Sequence, residues 1–211
     1  MLVALDRLMG MGAPQPSTRV ERDTLNRWRA LTPHDPAQVL RRLRAVENEM
    51  AYADERLGPM VRRLRTREYK KEREWRDAAL FTYLVGLAQG VDARYLTEEA
   101  TDYDFVVTWR GEQVQHFCPV QLKELVPEDL NAKATLDDLL HGLKKYGGAT
   151  RTVLAIKLNR RGRIQLGGLK LPPITFAELW FFWAGAPSTN ELFLWGDALT
   201  RPRPWSFPYP T

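Results

Sequence analysis

The most constraining feature of the sequence is the run from Thr152 to Leu158, in which apolar and β-favouring residues follow one another almost without interruption. A strand with one face in solvent alternates between apolar and polar residues, whereas a nearly continuous apolar strand is buried on both faces. The run therefore predicts a central, buried strand. The chain can supply the surrounding core, because 44% of its 211 residues are apolar, and its 27% charged residues are typical of a globular protein.

Two helical segments are predicted before the first strands. Asp35-Pro36 is typical of an N-cap followed by proline at the first helical position. Apolar residues then recur at steps of three and four up to Leu64, which predicts a long helix with a break or kink at Gly58-Pro59. A second helix is predicted over residues 68–88, with Gly90 as a suitable residue just after its end.

A β-hairpin is predicted after these helices. Phe105–Trp109 and Val114–Leu122 are strand-like runs on either side of a turn at 110–112. Pro119 interrupts the second run, and because proline cannot donate to a ladder it predicts an edge position or a bulge. A helix over residues 136–146 is predicted to connect this hairpin to the central strand.

The C-terminal part has mixed signals. Thr175 to Glu178 reads as a capping box and predicts helical turns through Trp183, whereas Glu191–Trp195 predicts a strand. The predicted organisation has four parts: a weakly structured segment (1–34), a helical arm (35–66), an α/β domain (67–200) and a proline-rich, irregular tail (201–211).

The charge of the chain is basic, with 31 Lys and Arg against 26 Asp and Glu. Residues 41–76 hold twelve basic and seven acidic side chains, so this segment alone accounts for the net charge of +5. A basic stripe predicts a polyanionic partner, and the alternative, a solvated helix face, stays open. No apolar run reaches the ~20 residues that span a bilayer, and the start lacks the residue order of a signal peptide, so we expect no membrane partner and a cytoplasmic location.

Ionisable and amide side chains meet at one end of the predicted hairpin. Asp104 leads into the first strand, and Gln121 and Lys123 lie near the end of the second. Because strand side chains alternate, Gln121 and Lys123 point to one side while Leu122 points into the core. Counting along the strands leaves Asp104 a few residues out of register, which a bulge near Pro119 would correct. Asp102 is an alternative to Asp104.

These residue types suit the hydrolysis of phosphodiesters. The Asp104 carboxylate, the Gln121 amide oxygen and the Leu122 carbonyl are hard oxygen ligands of the kind that Mg²⁺ or Mn²⁺ prefers. Lys123 can position the attacking water or help to deprotonate it. Three arginines on the turn after the central strand are predicted to contact phosphates: Arg160, Arg161 and Arg163.

The order helix, β-hairpin, helix, β-strand, with Asp104 followed by Gln121-Leu-Lys123, resembles the PD-(D/E)xK nuclease superfamily over residues 68–160. That superfamily includes restriction endonucleases, Holliday-junction resolvases and repair nucleases. The resemblance implies a restriction-endonuclease-like α/β fold with an N-terminal helical arm and a Mg²⁺-dependent endonuclease acting on nucleic acid, with DNA favoured. It also implies that Glu74, or Glu72 as second choice, is an auxiliary acid, and that Lys145-Tyr146 ends the helix behind the site.

The sequence departs from that pattern at two positions. Gln121 stands where the superfamily has an acid, which removes one negative charge from the metal site, and Tyr103 stands where it has proline. Two other functions therefore remain open. One is a nuclease-like protein that binds nucleic acid without cleaving it. The other is an interaction protein whose basic helix and tryptophan-rich C-terminus form an oligomer interface. A homodimer would suit duplex cleavage, although no residue requires it.

Overall fold

The computed structural model describes residues 18–52, 70–112, 114–145, 151–160, 164–186 and 188–211, and shows a mixed α/β fold. The helices are α1 (Arg19–Ala30), α2 (Pro36–Tyr52), α3 (Lys70–Gln89) and α4 (Leu136–His141), and a short 3₁₀ helix follows α4 at Gly142–Lys145. The strands are β1 (Arg94–Leu96), β2 (Phe105–Arg110), β3 (Gln115–Leu125), β4 (Val153–Leu158), β5 (Glu178–Ala184), β6 (Glu191–Gly196) and β7 (Arg203–Pro208).

The seven strands lie side by side in the order in which they occur along the chain. The strands β1, β2 and β3 are antiparallel neighbours, as are β5, β6 and β7. The strands β3, β4 and β5 are parallel, and α4 lies in the connection from β3 to β4. The predicted hairpin is therefore confirmed as β2 and β3. The predicted central strand is confirmed as β4, which is fourth of seven and buried at every position.

Each face of the sheet is covered by a different set of helices. On the α3 face, side chains such as Val107, Val120 and Ala155 pack against α3 and α2. On the opposite face, which we call the α1 face, Val106 and Phe117 pack against α1 and Ile156 packs against α4. Helices on both faces explain why β4 has no polar alternation, since neither of its sides reaches solvent.

The two halves of α3 differ in composition and in burial. Its first half is rich in charged residues, whereas the run from Ala78 to Val85 is almost entirely buried against the sheet. The helix ends at Gln89, and Gly90 follows with φ 66°, a left-handed conformation that glycine adopts without a Cβ clash. The predicted helix end is confirmed. The predicted break at Gly58-Pro59 and the second half of the arm lie outside the described residues.

Three expectations about local structure were wrong. The helix α1 forms within the segment predicted to be weakly structured, because Thr18 and Glu21 make a capping box and its apolar side is buried. The segment predicted to be helical through Trp183 is β5, and a short apolar run has no periodicity that separates strand from helix. The tail contains β7, whose Pro204 and Pro208 are tolerated because it is an edge strand.

Within the described residues, no helix combines the length and the apolarity needed to cross a membrane.

Candidate active site

Asp104 and Gln121 are in side-chain contact at one end of the β2–β3 pair. The register runs without interruption from Arg110 opposite Gln115 to Phe105 opposite Val120, and Asp104 directly precedes Phe105. The expected bulge near Pro119 was therefore wrong, since Pro119 pairs regularly with Val106. Nor does β3 lie at an edge of the sheet; its pairing with β4 begins only at Val120, so this ladder does not include Pro119.

The Asp104 carboxylate is held by two hydrogen bonds from β3. Its Oδ2 accepts one from the Gln121 side-chain amide and one from the Leu122 backbone N–H at 2.6 Å. The Asp104 backbone N–H donates in turn to the Val120 carbonyl at 2.8 Å. Gln121 is only 3% exposed, whereas Asp104 is exposed. The pair thus joins a buried amide to a carboxylate that solvent and a ligand can reach.

Lys123 lies two residues beyond Gln121, and alternation places both on the α1 face. On this face of β3, Gln121 and Lys123 lie between two apolar side chains. Phe117 packs against α1, and Leu125 belongs to the buried cluster that includes Leu140 of α4. The Lys123 side chain is half-buried. The sheet therefore brings Asp104, Gln121 and Lys123 to one place between two helix-covered regions.

The local fold distinguishes the two candidate aspartates. Asp102 lies in a tight turn closed by a backbone bridge between Ala100 and Tyr103, and it is exposed. Asp104, in contrast, makes the side-chain contact with Gln121. The geometry therefore favours Asp104 over Asp102 as the acidic member of the site.

The structure does not bring Glu74 into contact with these residues. Glu74 belongs to α3, which packs on the opposite face of the sheet, and its carboxylate lies 3.3 Å from the Lys70 ammonium group. Glu72 is half-buried near the start of the same helix. The auxiliary role of either glutamate stays a prediction.

The predicted phosphate contacts are described in part. Arg160 donates from Nε to the Val126 carbonyl at 3.0 Å and from a terminal nitrogen to the Asn131 carbonyl at 2.6 Å, so it supports the loop after β3. Arg161, Arg163 and Tyr146 lie outside the described residues, and Lys145 ends the 3₁₀ helix. A role for the three arginines in binding nucleic acid stays a prediction.

A buried ion pair on the α3 face was not predicted from the sequence. Lys157 of β4 donates to the Asp77 carboxylate of α3 at 2.5 Å, and both side chains are buried. Arg76 lies 3.5 Å from Asp77 and 2.6 Å from Glu47 of α2, which connects the arm to the pair. Burial lowers the pKa of Lys157, and Asp77 partly opposes this shift. A lysine inside an otherwise apolar strand was the available signal, because a buried charge needs a partner.

The oxygen atoms at Asp104 suit a hard divalent cation. Both hydrogen bonds to the carboxylate end on Oδ2, and the described residues supply none to Oδ1. The Leu122 carbonyl points to the same edge of β3 as the Leu122 N–H, which donates to Asp104. The Gln121 amide can present its oxygen instead of its nitrogen by a half-turn of its terminal bond. The described part of the chain holds no cluster of three His, Cys, Asp or Glu side chains that could bind a metal ion, and Asp104 is the carboxylate that contacts Gln121.

No family model, curated protein or solved structure matches the chain.

Proposed function

We propose that the protein is a Mg²⁺-dependent nuclease that hydrolyses phosphodiester bonds of nucleic acid, with DNA the favoured substrate. The observation that carries the proposal is the cross-strand contact between Asp104 and Gln121, with Lys123 next on the same face. The chain order of α3, the β2–β3 hairpin, α4 and β4 is also the order on which the resemblance to the PD-(D/E)xK superfamily rests. A restriction-endonuclease-like core is part of the proposal.

The residues of the site have separate roles in this proposal. Asp104, the Gln121 amide oxygen and the Leu122 carbonyl hold the cation, which when bound supplies Lewis acidity and lowers the pKa of its water. Lys123 is close enough along β3 to hold the attacking water by a hydrogen bond and to offset negative charge at the phosphate. The buried Gln121 and the β3 backbone keep these groups in one orientation.

One observation favours a second function, a nuclease-like protein that binds nucleic acid without cleaving it. The Gln121 amide donates to Asp104, so a cation must displace this hydrogen bond before it can use both side chains. With Gln121 in place of an acid, the site also offers less negative charge to a dication than the superfamily pattern does.

The test is cleavage of supercoiled plasmid and labelled single strands with Mg²⁺ or Mn²⁺, with and without EDTA. The decisive variants are Asp104→Ala and Lys123→Ala. Each has a matched control: Asp102→Ala removes an exposed aspartate two residues away, and Lys133→Ala removes an exposed lysine in the next loop. We expect cleavage to be lost in both decisive variants and with EDTA, and to be retained in both controls.

The other outcomes separate the remaining functions. A wild type that binds DNA in a salt-dependent way and never cuts supports the inactive binding protein. A wild type that neither binds nor cuts refutes both. If Asp102→Ala abolishes cleavage and Asp104→Ala does not, the assignment of the aspartate is wrong.

A further inference from the structure

The helix α1 is seated on the strands that carry the candidate site. Its Leu25 and Trp28 are buried against Val106 and Phe117 of the sheet. The Trp28 ring also meets Tyr103 edge-on, with ring centroids 5.7 Å apart and an interplanar angle of 81°. Tyr103 directly precedes Asp104, so α1 packs on the residue next to the candidate metal ligand.

A chain of hydrogen bonds runs through the Tyr103 hydroxyl. The Trp28 indole N–H donates to it at 3.3 Å, and the hydroxyl donates to Glu98 Oε1 at 3.3 Å. Arg27 Nε lies 2.6 Å from the same Glu98 oxygen.

These bonds close the turn that leads into Asp104. The backbone of Ala100 and Tyr103 forms a bridge across the turn, with an N–H to carbonyl distance of 2.8 Å. The bond from Tyr103 to Glu98 closes the same segment a second time through side chains. Asp104, whose side chain is exposed, therefore directly follows a turn that is bonded to α1.

We infer that Tyr103 is a positioning residue of the candidate site, which holds Asp104 against β3 by tying the 98–103 turn to α1. The inference rests on the proposed function in one respect, since that proposal gives Asp104 its task. It makes α1, in the part of the chain that was predicted to be weakly structured, a component of the site. Tyr103 acts through Asp104 and does not contact a substrate.

The test uses the Leu122 amide, because its N–H donates to the Asp104 carboxylate and so reports whether Asp104 is in place. Tyr103→Phe removes the hydroxyl and keeps the ring. Tyr209→Phe is the matched control, since it removes a hydroxyl that donates to the Leu40 carbonyl at 3.0 Å in a cluster on the α3 face. Hydrogen exchange is followed by NMR in the full-length protein, with the buried Ala155 amide of β4 as a reference for global unfolding.

We expect Tyr103→Phe to speed exchange of the Leu122 amide about fivefold to tenfold relative to Ala155, as the loss of one ordinary hydrogen bond implies. The control should leave this ratio unchanged. Glu98→Ala should have the same effect as Tyr103→Phe, and the double variant should add little, because both changes break one chain of bonds. If Tyr103→Phe leaves the ratio of Leu122 to Ala155 exchange rates unchanged, the inference is wrong.

Cleavage measured in the same variants separates this inference from the proposed function. If the wild type cuts DNA, Tyr103→Phe should lower kcat about fivefold with KM unchanged, because the substrate contacts remain. If the wild type does not cut and the Leu122 amide still responds to Tyr103→Phe, the proposed function fails and the positioning role stands.

Discussion

Replacing Gln121 by glutamate tests the candidate site most directly. Gln121 is buried, and its amide donates to the Asp104 oxygen that also accepts the Leu122 N–H. Gln121→Glu changes few atoms, but it replaces the donor by a second carboxylate. Without a cation the two carboxylates repel each other, whereas a bound dication would be attracted to both.

The size of the effect follows from the contact. Two unit charges about 3 Å apart repel by about 5 kcal/mol at an effective dielectric constant of about 20. Keeping an ordinary glutamic acid protonated at pH 7 costs about 4 kcal/mol, which is less, so the new side chain takes up a proton. The variant should therefore lose up to about 4 kcal/mol of stability at pH 7, and should regain it towards pH 4.5 as protonation becomes free of cost.

The assay is thermal and urea unfolding of wild type and variant at pH 5 and pH 7, with and without Mg²⁺. We expect the loss at pH 7 to shrink at pH 5 and to be reversed by Mg²⁺, which should bind the variant more tightly than the wild type. The double variant Asp104→Asn/Gln121→Glu restores one donor and one carboxylate, so its metal-free stability should recover. Gln115→Glu is the control for the same change elsewhere in β3, where the amide bonds the Thr108 hydroxyl.

Two results would refute this reasoning. If Gln121→Glu is as stable as the wild type at pH 7 without a cation, the side chains of residues 104 and 121 are not in contact. If the variant is destabilised but Mg²⁺ has no effect on it, the contact exists and the proposed cation site does not.

Two further predictions concern stability. Lys157→Met leaves Asp77 buried without its closest partner and should cost about 3–5 kcal/mol in urea unfolding, whereas adding Asp77→Leu should recover most of the loss; additive losses would contradict the buried pair. Burial lowers the pKa of His116 below its ordinary value of 6.5, so near and below pH 6.5 the unfolded chain binds more protons than the folded one. The free energy of unfolding therefore falls as the pH drops from 7 to 5. His116→Phe keeps a ring stacked on Trp109 and should gain stability relative to wild type between pH 7 and pH 5, and parallel stability curves would refute this.

Local sequence patterns predicted an element correctly where the chemistry of one residue, or a continuous apolar run, determines that element. The apolar run at 152–158 predicted β4, and Gly90 predicted the end of α3, because left-handed backbone at a helix end favours glycine. The same patterns misled where two structures share one signature. Residues 179–184 are all apolar, which is expected of a buried strand and of a buried helix, and a capping-box motif then favoured the wrong one.

Local sequence patterns were enough to predict the α/β class, the hairpin and the grouping of Asp104, Gln121 and Lys123 as one candidate site. The tertiary structure alone sets the β2–β3 register that brings Asp104 into contact with Gln121, because pairing depends on where the whole strand meets its neighbour. It alone also decided that Trp28 reaches Tyr103 and that Asp77 reaches Lys157, across 75 and 80 residues of chain. Such contacts have no local signature, since their stability comes from burial that forms only when the helices close on the sheet.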